Sequence, residues 1–247
     1  MHRIKVIQYL INLNEELLFY PFLRKYYKNK LSKTPVILDV GANKGQTIDF
    51  FIKIRKNTTF YAFEANPKLI RTLKRKYKKN KNVNIIPKGI SNANTIAKFH
   101  VNKLDETSSF ENLNYNSSYL LKKAKILGIE INKIIENTID VETLTLLGFL
   151  MEKSLPYIDL IKIDVEGHEY KCLDGLFNSN SSTPNLFSKL STRIERIQIE
   201  YHVNDSYEFP ETFRKTEDLM FKNNFILEKK IRHGFGHFYD CIFKNTS

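Results

Sequence analysis

The stretch Val36-Ile-Leu-Asp-Val-Gly-Ala-Asn-Lys-Gly-Gln-Thr-Ile48 limits what this chain can fold into more than any other. Four apolar residues interrupted only by Asp39 read as a buried parallel strand. A glycine-bounded turn follows, and Gln46 to Ile54 takes up helical spacing. A strand passing through a tight glycine turn into a helix N-terminus builds a site for a polar ligand. The glycines let backbone approach it, and the helix start offers unpaired N–H groups and the positive end of a dipole. Gly41 is followed by Ala42 and the next glycine is Gly45, so the pattern is D-x-G-x-x-x-G and not the G-x-G-x-x-G of dinucleotide sites. An acid at the strand's end would repel a pyrophosphate. It suits a zwitterion carrying an ammonium group and ribose hydroxyls, which points to S-adenosylmethionine (SAM).

At 247 residues the chain fits one α/β domain, able to bury about 70–75% of its unfolded surface without disulfide staples. Cys172 and Cys241 lie far apart in apolar settings and are expected to be reduced and structural, in a reducing compartment. No secretory signal and no apolar run of ~20 residues is visible, so a cytoplasmic location, or the inner face of a membrane, is expected. The net charge of +12 invites a nucleic-acid partner, but much of it sits in two runs, Arg24 to Lys33 and Lys68 to Lys81. We read these as solvated surface, with an anionic acceptor or membrane-associated work as alternatives.

Residues 1–33 form an N-terminal helical segment and residues 34–247 the main domain, with an insertion at about 92–150. Pro21 should divide the first segment into two helical pieces. Packing on the domain is the expectation; a cover over the cleft, a homodimer arm and a membrane-surface helix are alternatives. Thr58 to Phe63 is a second strand ending in Glu64, about 20 residues beyond the glycine turn, where a ribose diol is gripped in such sheets. Asn66-Pro67 starts a helix, Val83 to Ile86 is a third strand, and Gly89, Ile90 and Ser91 follow at its carboxyl end, on the side assigned to adenine. From Asn92 the rhythm lapses. Thr95 to Val101 alternates like an edge strand, Leu120 to Ile135 is Lys-rich and helical or partly ordered, and Ile139 to Leu150 holds another short strand. This insertion reads as too polar to carry its own core. Tyr157 to Ile163 and Arg196 to Ile199 are the fourth and fifth strands, and Phe225 to Ile231 with Phe238 to Phe243 makes a closing antiparallel pair.

Asp164, Glu166, His168 and Glu169 follow the fourth strand, and Glu200 and His202 follow the fifth. In a parallel sheet these ends adjoin the tips that carry Asp39 and Glu64. Such groups suit methyl transfer to a hydroxyl, where a positioned His or carboxylate base contributes about 10²–10⁴-fold. A direct base is our first choice. The alternative is Mg²⁺ or Mn²⁺ held by Asp164, Glu166, Glu200 and His202, lowering the hydroxyl's pKa.

With these residues in view, the chain resembles the FkbM-type family of SAM-dependent methyltransferases. The likeness rests on Asp39-Val-Gly-Ala-Asn-Lys-Gly45, Phe63-Glu-Ala-Asn-Pro67, Ser108-Ser-Phe110 and Ile161-Lys-Ile-Asp-Val-Glu-Gly-His-Glu169, with Glu200 ending the next strand. It implies a class I SAM-methyltransferase fold: Rossmann-like α/β, a mostly parallel seven-stranded sheet with helices on both faces and an antiparallel C-terminal strand. It further implies a cofactor set of Asp39, Gly41, Asn43, Gly45, Glu64, Ala65, Asn66, Gly89, Ile90, Ser91 and Ser109, with Asp164, Glu166, His168, Glu200 and His202 around the acceptor. The implied activity is O-methylation of a sugar hydroxyl on a glycan, glycolipid or nucleotide-linked sugar. RNA ribose 2′-O-methylation and a non-catalytic SAM-binding module are the alternatives. The stretch Val141-Glu-Thr-Leu-Thr-Leu146 lacks the Asp expected after its Thr-Leu pair, a departure that bears on the acceptor.

Overall fold

Short apolar runs separated by helical periods give a sheet buried on both faces. The computed structural model describes residues 19–103, 107–178, 187–208, 213–232 and 238–247. Its central strands are β1 (Val36–Val40), β2 (Thr59–Phe63), β3 (Val83–Ile86), β8 (Leu160–Ile163), β10 (Arg196–His202), β11 (Phe225–Arg232) and β12 (Phe238–Asn245). They lie in the order β11-β12-β10-β8-β1-β2-β3. All neighbours run parallel except β12, which is antiparallel to both β10 and β11. This is the expected mostly parallel, seven-stranded sheet with a reversed C-terminal strand. The chain builds outward from β1 through β2 to β3, then returns to place β8 on β1's other side. Ligands of open sheets bind at such a reversal, outside the carboxyl ends of the strands.

Strand periodicity divides the core between the two faces. Leu38, Val40, Ile161, Ile163, Ile197 and Ile199 pack on one side with α5 (Leu146–Lys153), α6 (Glu169–Phe177) and α7 (Phe213–Lys222). Ile37, Phe60, Ala62, Leu160 and Ile242 pack on the other with α1 (Tyr20–Lys28), α2 (Gln46–Ile54) and α3 (Pro67–Lys76). Pro21 occupies the first turn of α1, as its fixed φ and missing N–H favour. The helical piece expected before it lies outside the described residues. Helix α1 is docked by two tyrosines. The Tyr26 hydroxyl donates to Glu228, which also takes Arg196 Nε at 2.9 Å and Lys30 Nζ at 3.1 Å. The fully buried Tyr27 donates to Gln198 of β10. Among the described residues no helix is long and apolar enough to cross a membrane, and both cysteines are free and buried.

The insertion departs from expectation. It carries a small core: β5 (Thr95–Asn102) pairs antiparallel with β6 (Ile135–Leu144), which also takes β4 (Gly89–Ile90) in parallel. Phe99, Val141 and Ala65 are buried beneath this sheet with Phe110 and Ile139 against them. The short strand expected within Ile139 to Leu150 is the end of β6, which stops at Leu144, and Leu146 to Leu150 belongs to α5. Thr145 caps that helix by accepting from Gly148 N at 3.1 Å. A short apolar run has no period to separate helix from strand, and the cap decided it. The fourth strand is also split, into β7 (Tyr157–Ile158), paired with β9 (Arg193–Ile194), and β8.

Asp159 causes the split. Its buried carboxylate accepts from Ser32 N at 2.8 Å and Val36 N at 2.9 Å, pinning the entry to β1. Asp159→Ala strands both donors and is expected to destabilise the domain by about 2–4 kcal/mol, with Asp159→Asn in between. A urea midpoint within error of wild type for the alanine variant would refute this role.

Candidate active site

Positive φ values at Gly41 (86°), Asn43 (49°) and Gly45 (84°) fold the turn after β1 back over the strand ends. Phe63 O on β2 accepts from Gly41 N (3.0 Å) and Ala42 N (2.9 Å). A Cβ at Gly41 would sit 1.9 Å from Asp164 O, the first residue beyond β8, so nothing larger than glycine fits. Glu64 closes the turn from the far side. One carboxylate oxygen accepts from Asn43 N at 2.7 Å and the other from Asn66 N at 2.8 Å.

Beneath this turn runs a row of polar side chains set by strand register. Asp39 on β1 is paired with Lys162 on β8, and Lys162 with Gln198 on β10; Glu200 is opposite Asp240 on β12. The row lies on the α1/α2 face, and Tyr27 reaches its middle. Tyr27 donates to Gln198, whose amide donates to Asp240 at 2.6 Å. Burial works against the Lys162 charge, but Asp164 (Oδ2 at 2.7 Å), Asp240, Asp39 and Glu200 outweigh it and hold the ammonium protonated. The same burial raises the Asp39 carboxyl to about 7 despite Lys162. Both Asp39 oxygens are buried, and the Thr47 hydroxyl lies near enough to temper the shift without closing a full hydrogen bond.

The turn after β8 is strained. Glu166 has φ 56° and Gly167 φ 95°, and a left-handed non-glycine residue costs roughly 1–2 kcal/mol. Four interactions hold it. Glu169 Oε1 accepts from Val165 N (3.1 Å) and Gly167 N (3.2 Å). Ser109 Oγ donates to Glu166 O (2.7 Å), and the Tyr207 hydroxyl donates to Glu166 Oε2 (2.8 Å). The outcome is a Glu166 side chain presented to the cavity next to Glu200 and His202. His202 Nε2 lies 3.3 Å from Glu200 Oε1 and 3.7 Å from Glu166 Oε2, but neither approach has hydrogen-bond geometry. Burial pulls the imidazolium down, yet Glu200 and Glu166 lift it to about 10. Burial, then Asp164, raises the Glu200 carboxyl to about 7. These three side chains each offer a ligand atom within 4.8 Å of the others, a set that could hold a divalent ion. Asp164 is outside that set, turned toward Lys162.

A cavity of about 1180 Å³ lies over the strand tips. Gly41, Asn43, Glu64, Ala65, Gly89, Ile90, Asp164, Glu166, Glu200 and His202 line it. Others expected in the site lie behind its wall. His168 is buried, with Nδ1 2.6 Å from Glu111 and Nε2 3.0 Å from the Ser91 hydroxyl. It is therefore not an acceptor-pocket base: the kink at Glu166 and Gly167 turns it back into the insertion, and burial lowers its pKa. Ser91 is spent on that contact and Ser109 on the strained turn, while Ser108 reaches the cavity. Asn66 caps α3, accepting from Lys68 N at 3.0 Å. Gly45 packs on Tyr77, and Asp39 lies under the floor. Lys162, Gln198, Tyr207 and Asp240 line the cavity without having been singled out in the sequence. Lys162 and Asp240 left a signal there, each as a charge inside an otherwise apolar run.

The crystal structure of a methyltransferase FkbM from Methylobacillus flagellatus KT superposes with a TM-score of 0.51 at 12% identity, over 87% of this chain and 44% of that one. The present chain thus spans less than half of that protein's length. M. capricolum TrmK in complex with S-adenosyl-homocysteine gives 0.48 at 11% identity, over 92% and 69%. Aeropyrum pernix fibrillarin with natively bound S-adenosyl-L-methionine gives 0.48 at 10%, over 90% and 74%. No curated protein matches the chain in sequence. A family model spanning β1 to β11 settles the matter where pairwise identity does not: matched over residues 39–227, the chain belongs to the Methyltransferase FkbM domain family.

Proposed function

We propose that this chain is a SAM-dependent O-methyltransferase whose acceptor is a sugar hydroxyl of a glycan, glycolipid or nucleotide-linked sugar. One observation carries the reading: a surplus of carboxylates gathered at the tips of β1, β8 and β10, with those of Asp39 and Glu200 raised to about 7 by burial and by neighbouring acids. A surplus of this sign fits a cationic ligand. Gly41 and Asn43 would hold the methionyl end, Glu64 the ribose diol, and Gly89 and Ile90 the adenine edge. When bound, SAM supplies an electrophilic methyl group on a sulfonium.

The protein's own work is to place a hydroxyl and remove its proton. Glu200 is the base this geometry favours, since its carboxyl, raised to about 7, changes state near neutral pH. His202, held protonated by its ion pairs with Glu200 and Glu166, can turn its Nε2–H toward the acceptor oxygen, and Glu166 orients that ring. Aromatic rings of Tyr119, Tyr207 and Phe238 line the same end of the cavity. Rings beside carboxylates match a sugar, with its apolar C–H faces and its hydroxyl edges. The grouping of Glu166, Glu200 and His202 also favours a second reading, in which Mg²⁺ or Mn²⁺ assists; loss of turnover in chelator, restored by either ion, selects it. The defining experiment is labelled-methyl transfer to saccharide, lipid and RNA fractions, with label in saccharide expected and label in RNA alone overturning the proposal.

Two further outcomes are expected. Asp39→Asn removes a charge whose burial outweighs its attraction to Lys162, so the ligand-free protein at pH 8 should melt no lower than wild type. Its stabilisation by S-adenosylhomocysteine should meanwhile shrink; an undiminished ligand shift removes Asp39 from the cofactor's field. Turnover should rise with pH through about 7 as Glu200 ionises, and Glu200→Gln should lower it by about 10²–10⁴-fold while S-adenosylhomocysteine affinity holds. A variant with near wild-type rates excludes Glu200 as base.

A further inference from the structure

The cavity is electrically divided. Its inner end, at β8 and β10, is acidic. Its outer wall is built by the insertion and carries Lys103, at the end of β5, with Lys122 and Lys123 of helix α4 (Ser118–Leu127). Elsewhere on the insertion Lys98 pairs with Asp140 and Lys133 with Glu130, each at 2.8 Å, and Lys125, without a carboxylate at ion-pair distance among the described residues, does not line the cavity. Lys88, at the cavity's adenine side, has Glu142 at 2.8 Å. Lys103, Lys122 and Lys123 have no carboxylate within ion-pair distance among the described residues.

Helix α4 is fixed relative to the acids. Ser117 caps it by accepting from Leu120 N at 3.0 Å and donates to Asp205 at 2.6 Å, just beyond β10. Asn114 N donates to Ser206 O at 2.8 Å. Leu113, Leu120 and Tyr207 bury a small cluster between them. Tyr119, in the first turn, sits close enough to Glu166 and Glu200 for their charges to act on its hydroxyl after burial has. Lys122 and Lys123 are three and four residues on, on Tyr119's face and about one helical turn along from it.

Building on the sugar O-methyltransferase reading, we infer that the acceptor carries a phosphate or diphosphate, gripped by Lys103, Lys122 and Lys123 while the hydroxyl meets Glu200. Three ammonium groups on a cavity wall repel one another and the cationic cofactor until an anion joins them. Lys122 and Lys123 sit a helical turn from Tyr119, whose hydroxyl feels the Glu200 charge, so an anion held there lies on the same side of the cavity as the reacting oxygen. The phosphoester of a nucleotide-linked sugar and that of a lipid-linked one share this chemistry.

The test uses the full chain with S-adenosylhomocysteine bound. Inorganic pyrophosphate should bind by calorimetry, and the Lys103→Ala/Lys122→Ala/Lys123→Ala variant should bind it about tenfold or more weakly, with S-adenosylhomocysteine affinity unchanged. Turnover is then compared on a UDP-hexose, a hexose linked by diphosphate to a short isoprenoid, and a neutral methyl hexoside. Higher kcat/KM on either phosphorylated acceptor, lost in the variant through KM, supports the inference, and the better of the two identifies the source. Equal use of the neutral hexoside, variant-insensitive pyrophosphate binding, or methylation confined to an RNA oligonucleotide overturns it. Lysine-dependent pyrophosphate binding without methylation of any saccharide would instead uphold the anion site and defeat the sugar reading.

Discussion

The Lys162 ammonium is the charge on which the site depends. A lone buried cation costs several kcal/mol, and this one is repaid by four carboxylates drawn from β1, β10, β12 and the tip of its own strand. Register places them: a one-residue slip of β8 would send Lys162 into the apolar face with Ile161 and Ile163. The ion-pair row thereby reinforces the strand alignment that brings the glycine turn against Asp164. The row continues through Gln198 to Tyr27, so helix α1 is tied to the same charges that shape the cleft.

Around that row the protein separates two tasks. The half at the glycine turn, where we propose the cofactor binds, is backbone, closely packed and intolerant of added atoms. The acceptor half is side chain: Glu166 held in a strained turn, Glu200 and His202 at the end of β10, and a wall borrowed from the insertion. Strain at Glu166 persists because the surroundings over-determine it. Ser109 and Glu169 fix the backbone while Tyr207 fixes the carboxylate.

Much of this was legible in the sequence where a local rule governs. The glycine turn announced itself through spacing, Glu64 through its place at a strand end, and the parallel sheet through apolar runs of the right length. What escaped depends on orientation and register. His168 and Glu166 are two residues apart, and no pattern says which one faces the cleft; the left-handed turn decides. Ser109 looked like a ligand contact and proved a brace. Lys162, Gln198 and Asp240 come together only once β8, β10 and β12 are paired. The insertion seemed too polar for a core because its few apolar residues, Phe99, Phe110 and Val141, are scattered in sequence and meet only across strands.

The contact between Gly41 and the Asp164 carbonyl bears on how such a protein can change. Two loops that touch at backbone distance leave no room for even a methyl group, so the turn we propose reads the cofactor is frozen against drift. The insertion lines the same hollow with residues such as Phe110, Leu113 and Lys122, where no such close backbone contact is seen. New acceptors can be acquired there, one residue at a time, without disturbing the electrophile's seat.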